Sequence, residues 1–135
     1  MNEAKPYKSM IQILLVDDES IILEILNSII EGQANIQVTK AENGEEAFKL
    51  FAQSSFDLII TDVKMPIVSG GQLIQKIRSS SLPNKDLPVI FISSDIEKAK
   101  QATDNFQDIQ YYHKPVKIKT FREILQTTVA RISPG

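Results

Sequence analysis

The sequence contains no cysteine and no tryptophan, and His113 is its one histidine. The lack of cysteine excludes a disulfide scaffold, thiol catalysis and cysteine-ligated zinc or iron–sulfur sites, and a single histidine excludes a histidine-rich metal cage. No apolar run approaches the roughly 20 residues of a membrane-spanning helix, and residues 1–9 lack the apolar core of a signal peptide. We therefore expect a cytoplasmic protein with no membrane partner.

An excess of charge of one sign is also missing, since 15 basic and 17 acidic residues give a formal net charge of −2. This balance argues against direct nucleic-acid binding, which needs a basic surface. The charges are unevenly spread, because residues 1–62 hold 11 acids and 4 bases whereas residues 111–135 hold 5 bases and 1 acid. Such polarity indicates either solvated faces or an acidic pocket at one end and a partner surface at the other.

The 135 residues, 42% of them hydrophobic, suit one globular domain. Short apolar runs alternate with segments in which apolar residues recur at helical spacing. The runs predict strands at 11–16, 36–41, 56–61, 87–93 and 109–112. A helix is predicted after each strand, and the fourth, at about 95–103, has the weakest pattern. This alternation predicts βαβ units, with a mainly parallel sheet covered by helices on both faces.

Capping signals mark the starts of two of these helices. Asn43 precedes Glu46 by three residues, and Thr120 precedes Glu123 by the same spacing. An oxygen-bearing side chain followed three residues later by glutamate is typical of a capping box. We therefore predict that one helix begins after Asn43 and another after Thr120.

Polar side chains stand where the predicted strands end, and in such sheets ligands bind beyond the carboxyl ends of the strands. They follow, or end, four of the five runs: Asp17, Asp18, Asp62, Ser93, Ser94 and Lys114, the last followed by Pro115. Each alone has an ordinary explanation as a helix cap, a turn residue or a solvated side chain. Their convergence on one edge of the sheet predicts a functional site.

Those residue types suit phosphoryl transfer. Clustered carboxylates repel one another and favour a hard divalent cation such as Mg²⁺. A carboxylate beside such a cation can attack phosphorus and form an aspartyl phosphate. The incoming phosphoryl oxygens then need a cation and a hydrogen-bond donor, which Lys114 and the Ser93 hydroxyl would supply.

Four segments, in this order, resemble the receiver domain of bacterial two-component response regulators: LLVDDES (14–20), IITDVKMPIVSG (59–70), PVIFISS (88–94) and YYHKP (111–115). The resemblance covers about residues 11–132. It implies a flavodoxin-like, doubly wound (βα)5 fold with a five-stranded parallel sheet of order 2-1-3-4-5. We expect the receiver domain at 10–132, with an N-terminal extension at 1–9 and a C-terminal tail at 133–135.

The resemblance assigns the phosphoryl-transfer site. Asp62 would accept the phosphoryl group, and Lys114 would pair with it, with a cis bond between Lys114 and Pro115. Mg²⁺ would be ligated by Asp18, by Asp17 directly or through water, by Asp62 and by the backbone carbonyl of Lys64.

The resemblance also assigns switch and tuning residues. Ser93 would close on the phosphoryl group, and Tyr111 would be the aromatic residue that turns inward as it does so. Lys64 and Asp95 would flank the path of the hydrolytic water. We hypothesise that their opposite charges pair and slow loss of the phosphoryl group, although both side chains could simply be solvated.

The resemblance implies protein partners. A histidine kinase or a histidine phosphotransfer domain would donate the phosphoryl group. A surface of the fourth helix, fifth strand and fifth helix would pass the signal to a downstream protein, or to an output domain lost from this chain. The protein would then be a switch and not a turnover enzyme.

Three alternatives remain beside this interpretation. The first is a receiver-like scaffold that is never phosphorylated. The second is a haloacid-dehalogenase-like phosphohydrolase, which is disfavoured because Lys64 stands where a second catalytic aspartate is needed. The third is a nucleotide-binding module, which lacks its glycine-rich loop here. The chain also departs from the receiver pattern at 105–108, where a Gly-Ala pair is usual, and this leaves the shape of the output surface open.

Overall fold

The computed structural model describes residues 10–33 and 35–132, so the expected extension at 1–9 and tail at 133–135 lie outside the described residues. Strands and helices alternate along the chain: β1 (Ile11–Val16), α1 (Ser20–Glu31), β2 (Ile36–Ala41), α2 (Gly44–Gln53), β3 (Leu58–Thr61), α3 (Gly70–Arg78), β4 (Val89–Ser93), α4 (Ile96–Thr103), β5 (Ile109–His113) and α5 (Ile118–Ile132). In the described ranges, no helix has the length and apolar content needed to cross a membrane.

The strands form one parallel sheet of order β2-β1-β3-β4-β5, which confirms the predicted 2-1-3-4-5 topology. Strands β1 and β3 are neighbours, and their register pairs Val16 with Thr61. The backbone N–H of Asp62 donates to the carbonyl of Val16 at 3.1 Å, which extends the pairing by one residue. The ends of β1 and β3 therefore bring the next residues, Asp17 and Asp62, side by side.

Helices bury both faces of the sheet, as the nearly continuous apolar strands predict. On one face, strand residues such as Leu14, Ile59 and Phe91 pack with α2, α3 and α4. On the other face, the alternate strand residues pack with α1 and α5, among them Ile13 and Ile60. The site edge is thus supported by two separate cores.

Three predicted strand boundaries were wrong by one or two residues. Strands β3 and β4 begin at Leu58 and Val89, two residues later than predicted, and β5 continues to His113. Phe56 and Leu87 are each 2% exposed although neither belongs to the ladder. Apolar burial therefore begins before the hydrogen-bonded strand does. The apolar pattern in the sequence predicts which residues are buried, and it does not mark where the strand hydrogen bonds begin.

One of the two capping predictions is confirmed and the other is wrong. The Asn43 side chain accepts a hydrogen bond from the backbone N–H of Glu46 at 2.7 Å, at the start of α2. The Glu46 carboxylate accepts from the residue before Asn43 at 2.8 Å, so the reciprocal half of the box is shifted by one residue. Helix α5 instead begins at Ile118, which places Thr120 and Glu123 inside it.

The weakly patterned helix is present as α4, and it buries Ile96, Ala99 and Thr103. Thr103 was missed as a core residue because it is polar. Its hydroxyl donates to the carbonyl of Ala99 at 2.7 Å, which satisfies it within the helix.

The loop at 105–108, where the chain departs from the receiver pattern, is held by Arg78 from the end of α3. Its Nη1 donates to the carbonyl of Gln107 at 3.0 Å and its Nη2 to the carbonyl of Leu87 at 2.7 Å. The guanidinium also lies 5.6 Å from the centroid of the Phe106 ring. Arg78 is only 8% exposed, and burial lowers its pKa. A buried cation fixes the approach to β5.

Candidate functional site

Three carboxylates meet at the carboxyl edge of the sheet, as the strand ends predict. Asp17, Asp18 and Asp62 each offer an oxygen, and these oxygens lie within 4.8 Å of one another. Asp17 and Asp62 are 3% and 7% exposed, whereas Asp18 faces solvent. The adjacency of β1 and β3 creates this cluster.

The Asp62 carboxylate and backbone are fixed by their local surroundings. The N–H of Val63 donates to Asp62 Oδ1 at 2.6 Å, and the Thr61 hydroxyl donates to the Asp62 carbonyl at 2.8 Å. Helix α3 begins directly against this segment. A Cβ atom on Gly70 would lie 1.9 Å from the Asp62 carbonyl oxygen, so a glycine is required there.

Lys114 reaches the carboxylates from the far strand, β5. Its N–H donates to the Ser93 carbonyl at 2.9 Å, and the bond to Pro115 is cis, as expected. Its Nζ lies 2.9 Å from Asp62 Oδ2 and 3.1 Å from Asp17 Oδ2. One side chain therefore joins the ends of β5, β3 and β1.

The charges of the site are unbalanced. Burial alone would lower the pKa of Lys114, but hydrogen bonds to Asp62 and Asp17 outweigh burial and raise it above its ordinary value. Burial raises the pKa of Asp17, although the N–H of Glu19 and Lys114 partly oppose this. Lys114 thus stays protonated at neutral pH, while the carboxylates retain an excess of negative charge.

The donor set fits Mg²⁺. This cation takes oxygen ligands, usually one or two carboxylates completed by water and phosphate oxygens. Three clustered carboxylates with one exposed member, Asp18, provide such ligands and leave a side open to solvent. The backbone carbonyl of Lys64, two residues after Asp62, stays a predicted ligand.

Ser93 and Tyr111 lie on the α4 side of the same edge. Ser93 is fully buried, and its Oγ accepts the N–H of Asp95 at 3.1 Å. Tyr111 is half-buried and stacks on Phe91 with ring centroids 5.7 Å apart. Its hydroxyl lies 2.7 Å from that of Thr103. Tyr111 therefore connects β5 to the end of α4.

Lys64 and Asp95 lie at the rim, but their side chains do different things. Lys64 is exposed, whereas Asp95 begins α4 and its Oδ1 accepts the N–H of Lys98 at 3.3 Å. The ion pairs found among the described residues include none between Lys64 and Asp95. Their pairing stays a prediction.

Sequence reasoning missed two residues of this region. Glu19 was not predicted to belong to the site, yet its Oε1 lies 3.5 Å from Lys114 Nζ and its side chain makes no cap hydrogen bond at the start of α1. Its position directly after the aspartate pair was an available signal. Thr103, the partner of Tyr111, gave no signal, because helix–strand packing alone brings the two hydroxyls together.

Comparison with protein families matches residues 13–126 to the response regulator receiver domain. The chain belongs to this family. The receiver domain is 32% identical over 120 residues to the chemotaxis protein CheY1 of Helicobacter pylori, covering 87% of this chain and 96% of that protein. Its fold matches that of the chemotaxis response regulator CheY4 of Vibrio cholerae with a TM-score of 0.77 and 27% identity, covering 88% of this chain and 98% of that one.

Other relatives are much longer than this chain. The protein-glutamate methylesterase/protein-glutamine glutaminase of Bacillus subtilis is 36% identical over 101 residues, which are 74% of this chain but 27% of that protein. The 3',5'-cyclic-nucleotide phosphodiesterase regA of Dictyostelium discoideum is 29% identical over 128 residues, which are 92% of this chain but 16% of that protein. Receiver domains thus occur nearly alone and within longer proteins that carry other activities.

Proposed function

We propose that this receiver domain is a phosphorylation switch in which Asp62 accepts a phosphoryl group from a phosphohistidine. The observation that carries the proposal is the Asp62 carboxylate, held 2.9 Å from Lys114 Nζ and beside the carboxylates of Asp17 and Asp18. A nucleophile, a cation-binding cluster and a fixed ammonium are the parts that phosphoryl transfer to a carboxylate needs.

In the proposed reaction, one carboxylate oxygen of Asp62 attacks phosphorus. The bond between phosphorus and the donor imidazole nitrogen breaks, and its electron pair stays on the imidazole. Asp17, Asp18, Asp62 and the Lys64 carbonyl would hold Mg²⁺, which when bound supplies positive charge for the phosphoryl oxygens. The Lys114 ammonium, already within 2.9 Å of Asp62, transfers its hydrogen bond to a phosphoryl oxygen.

The same event would operate the switch. The Ser93 oxygen accepts the N–H of Asp95, so its own proton remains available for a phosphoryl oxygen. Movement of Ser93 toward the phosphoryl group changes the space beside Tyr111, whose hydroxyl contacts Thr103 on α4. The surface of α4, β5 and α5 then changes for a downstream protein or an output domain.

The proposed donor is a cytoplasmic protein, a histidine kinase or a histidine phosphotransfer domain. Two large apolar side chains near the site are exposed, Ile21 at 72% and Ile118 at 55%. Ile21 lies in the first turn of α1, two residues after Glu19, and Ile118 begins α5, four residues after Lys114. Exposed apolar side chains around a nucleophile favour a protein donor that packs against them.

Phosphorylation is tested by intact-mass measurement after incubation with Mg²⁺ and acetyl phosphate. We expect a mass gain of one phosphoryl group in the wild type, and no gain for Asp62→Asn or without Mg²⁺. A mass gain that persists in Asp62→Asn would show that another residue accepts the phosphoryl group. Failure of the wild type with both acetyl phosphate and phosphorylated phosphotransfer domains would favour the unphosphorylated scaffold.

The donor surface is tested by comparing two equally exposed isoleucines. Ile21→Ser should slow transfer from a phosphorylated histidine phosphotransfer domain while leaving phosphorylation by acetyl phosphate unchanged. Ile67→Ser is the control, because Ile67 is 73% exposed at the same edge but precedes α3, which packs on the opposite face of the sheet from α1 and α5. Equal effects of both variants on protein-mediated transfer would contradict the proposed surface.

Lys64 and Asp95 would set the lifetime of the phosphoryl group. Lys64→Ala should hasten dephosphorylation of purified phosphoprotein, because the proposed charge pair no longer obstructs the hydrolytic water. Asp95→Asn keeps an oxygen that can cap α4 while removing the charge, and it should act in the same direction. Unchanged dephosphorylation rates in both variants would show that Lys64 and Asp95 do not set the lifetime of the phosphoryl group.

A further inference from the structure

The C-terminal end of α4 is held on two sides. From α3, the side-chain amide of Gln75 donates to the carbonyl of Ala102 at 2.9 Å. A Cβ atom on Gly71 would lie 2.7 Å from the Cβ of Ala102, so the two helices approach closely at this point. From the following loop, the N–H of Phe106 donates to the carbonyl of Thr103 at 2.9 Å. Thr103, the last residue of α4, is therefore fixed in place.

The hydrogen bond between the Thr103 and Tyr111 hydroxyls has one direction. Thr103 carries a single hydroxyl proton, which it donates to the carbonyl of Ala99 at 2.7 Å. The Thr103 oxygen, 2.7 Å from the Tyr111 hydroxyl, is therefore the acceptor, and Tyr111 is the donor. Thr103 is 1% exposed, so water competes little for this bond. Stacking on Phe91 fixes the Tyr111 ring further.

This bond opposes the movement that the proposed switch requires. Because β5 runs parallel to β4, α4 returns the chain to the amino edge and Thr103 lies in that direction, whereas Ser93 ends β4 at the carboxyl edge. Ser93 lies two residues beyond Phe91, the ladder partner of Tyr111, which is about 7 Å along the strand. The Tyr111 hydroxyl cannot bind Thr103 and turn toward Ser93 at the same time.

We propose, building on the proposed function, that Thr103 is a latch for Tyr111: its hydroxyl, held against α3, keeps Tyr111 turned away from Ser93 until phosphorylation overcomes the bond. The strength of this bond then sets the balance between the two positions of Tyr111. Thr103 is a positioning residue, because it acts through Tyr111 from the end of α4 that is far from Asp62. Through Gln75, α3 takes part in switching although it lies outside the surface of α4, β5 and α5.

The test measures the affinity for beryllofluoride, a phosphoryl analogue, in the presence of Mg²⁺. Thr103→Val removes the hydroxyl and keeps the shape, so it should raise the affinity about two- to tenfold, because one hydrogen bond no longer opposes the switched position. Thr103→Ser retains the hydroxyl and should bind as the wild type does. In a Tyr111→Phe background, Thr103→Val should leave the affinity unchanged, since the donor of the bond is already missing.

The contact from α3 is tested in the same way. Gln75→Leu removes the bond to Ala102 and should raise the affinity by less than Thr103→Val does, because this bond is exposed. Gln101→Leu is the matched control, since Gln101 is an exposed residue of α4 and the side chain changes identically. Equal affinities of the two leucine variants would overturn the role of α3.

A readout without phosphoryl chemistry separates the latch from the proposed function. With meta-fluorotyrosine at the three tyrosines, the fluorine NMR signal of Tyr111 is identified by its loss in Tyr111→Phe. Without beryllofluoride, Thr103→Val should move this signal toward its position in the beryllofluoride-bound wild type, and Thr103→Ser should not. Valine and serine variants that match each other in affinity and signal would overturn the latch. If the wild type binds no beryllofluoride and accepts no phosphoryl group, the proposed function fails, and a signal that moves in the valine variant alone, or in neither variant, supports or overturns the latch.

Discussion

At the carboxyl edge of the sheet Lys114 lies among three carboxylates, whereas at the amino edge Arg78 donates to two backbone carbonyls. Both cations are largely buried, but their surroundings differ. The carbonyls around Arg78 gain hydrogen bonds that no other described group provides, while the carboxylates around Lys114 outnumber it. The amino edge therefore uses a buried cation for stability, and the carboxyl edge holds negative charge that suits a reaction.

The backbone shows the same contrast. Near the amino edge, positive φ angles occur at Asn35, Asn84 and Asp108, at 64°, 63° and 62°. Asparagine and aspartate tolerate this left-handed region well. Beside the site the positive φ of 71° belongs to Ile67, a β-branched residue, in a tight turn where the N–H of Val68 donates to the Pro66 carbonyl at 2.8 Å. Strain is thus placed at the functional edge.

The largest expected effect tests the amino edge. Arg78→Met keeps the length of the side chain but leaves the buried Leu87 carbonyl without a donor and removes the part-buried bond to the Gln107 carbonyl, so the free energy of unfolding should fall by about 2–3 kcal/mol. Urea denaturation measures this loss. Phosphorylation of the folded variant should persist, because Arg78 lies at the opposite edge from Asp62.

The matched control is Lys76→Met on the same helix. Lys76 is exposed, and its contact is with the Phe48 ring, 4.5 Å from the centroid. Its replacement should cost no more than about 1 kcal/mol. If the two variants lost equal stability, or if Arg78→Met lost phosphorylation while folded, the division between the edges would be wrong.

The second effect concerns strain at the carboxyl edge. Ile67→Gly should raise the free energy of unfolding by about 1 kcal/mol, because glycine adopts the positive φ without steric cost and Ile67 buries little surface. Ile67→Ala removes the same side-chain branches but keeps a Cβ, and it should gain less. Equal stability of the glycine and alanine variants, measured in urea, would show that the backbone of Ile67 is unstrained.

The third effect concerns the charge at the carboxyl edge. Asp17→Asn should raise the free energy of unfolding by about 1 kcal/mol at pH 7 in the presence of a chelator, and it should weaken stabilisation by added Mg²⁺. Burial raises the pKa of the Asp17 carboxyl above its ordinary 3.8, so its ionisation opposes folding.

The sign of the pH dependence follows from that raised pKa. The contribution of Asp17 to stability is fully present below the ordinary value and is lost as pH rises through the value in the folded protein. The advantage of Asp17→Asn should therefore shrink between pH 7 and pH 4 in urea titrations. An asparagine variant less stable than the wild type at pH 7 would contradict the proposed cost of the carboxylate.

The resemblance carried by the sequence motifs predicted the strand order, and the ends of the predicted strands indicated which polar side chains lie together at the carboxyl edge. Asp17, Asp62 and Lys114 meet because strand adjacency fixes where strand ends lie. Contacts that depend on side-chain packing were beyond this reasoning. Arg78 and Thr103 were missed because their partners are backbone carbonyls or a hydroxyl from distant segments, which leave no local pattern.

On α1, the helical spacing of apolar residues did not distinguish the positions that are buried from those that are exposed. Apolar residues recur from Ile21 to Ile30, and the pattern could not tell which of them face the sheet. Leu23 and Ile30 are buried there, whereas Ile21 and Ile25 are exposed. The direction in which α1 packs is set by the sheet and α5, and an apolar helix with more than one hydrophobic face does not reveal it.

Chemical trapping tests the central claim most directly. Borohydride reduces an aspartyl phosphate to homoserine, so peptide mapping after treatment with acetyl phosphate, Mg²⁺ and borohydride identifies the residue that carried the phosphoryl group. We predict homoserine at position 62 alone, and none in the sample prepared without Mg²⁺. Homoserine at Asp17 or Asp18, or phosphorylated protein with no trapped aspartate, would contradict the assignment of Asp62 as the phosphoacceptor.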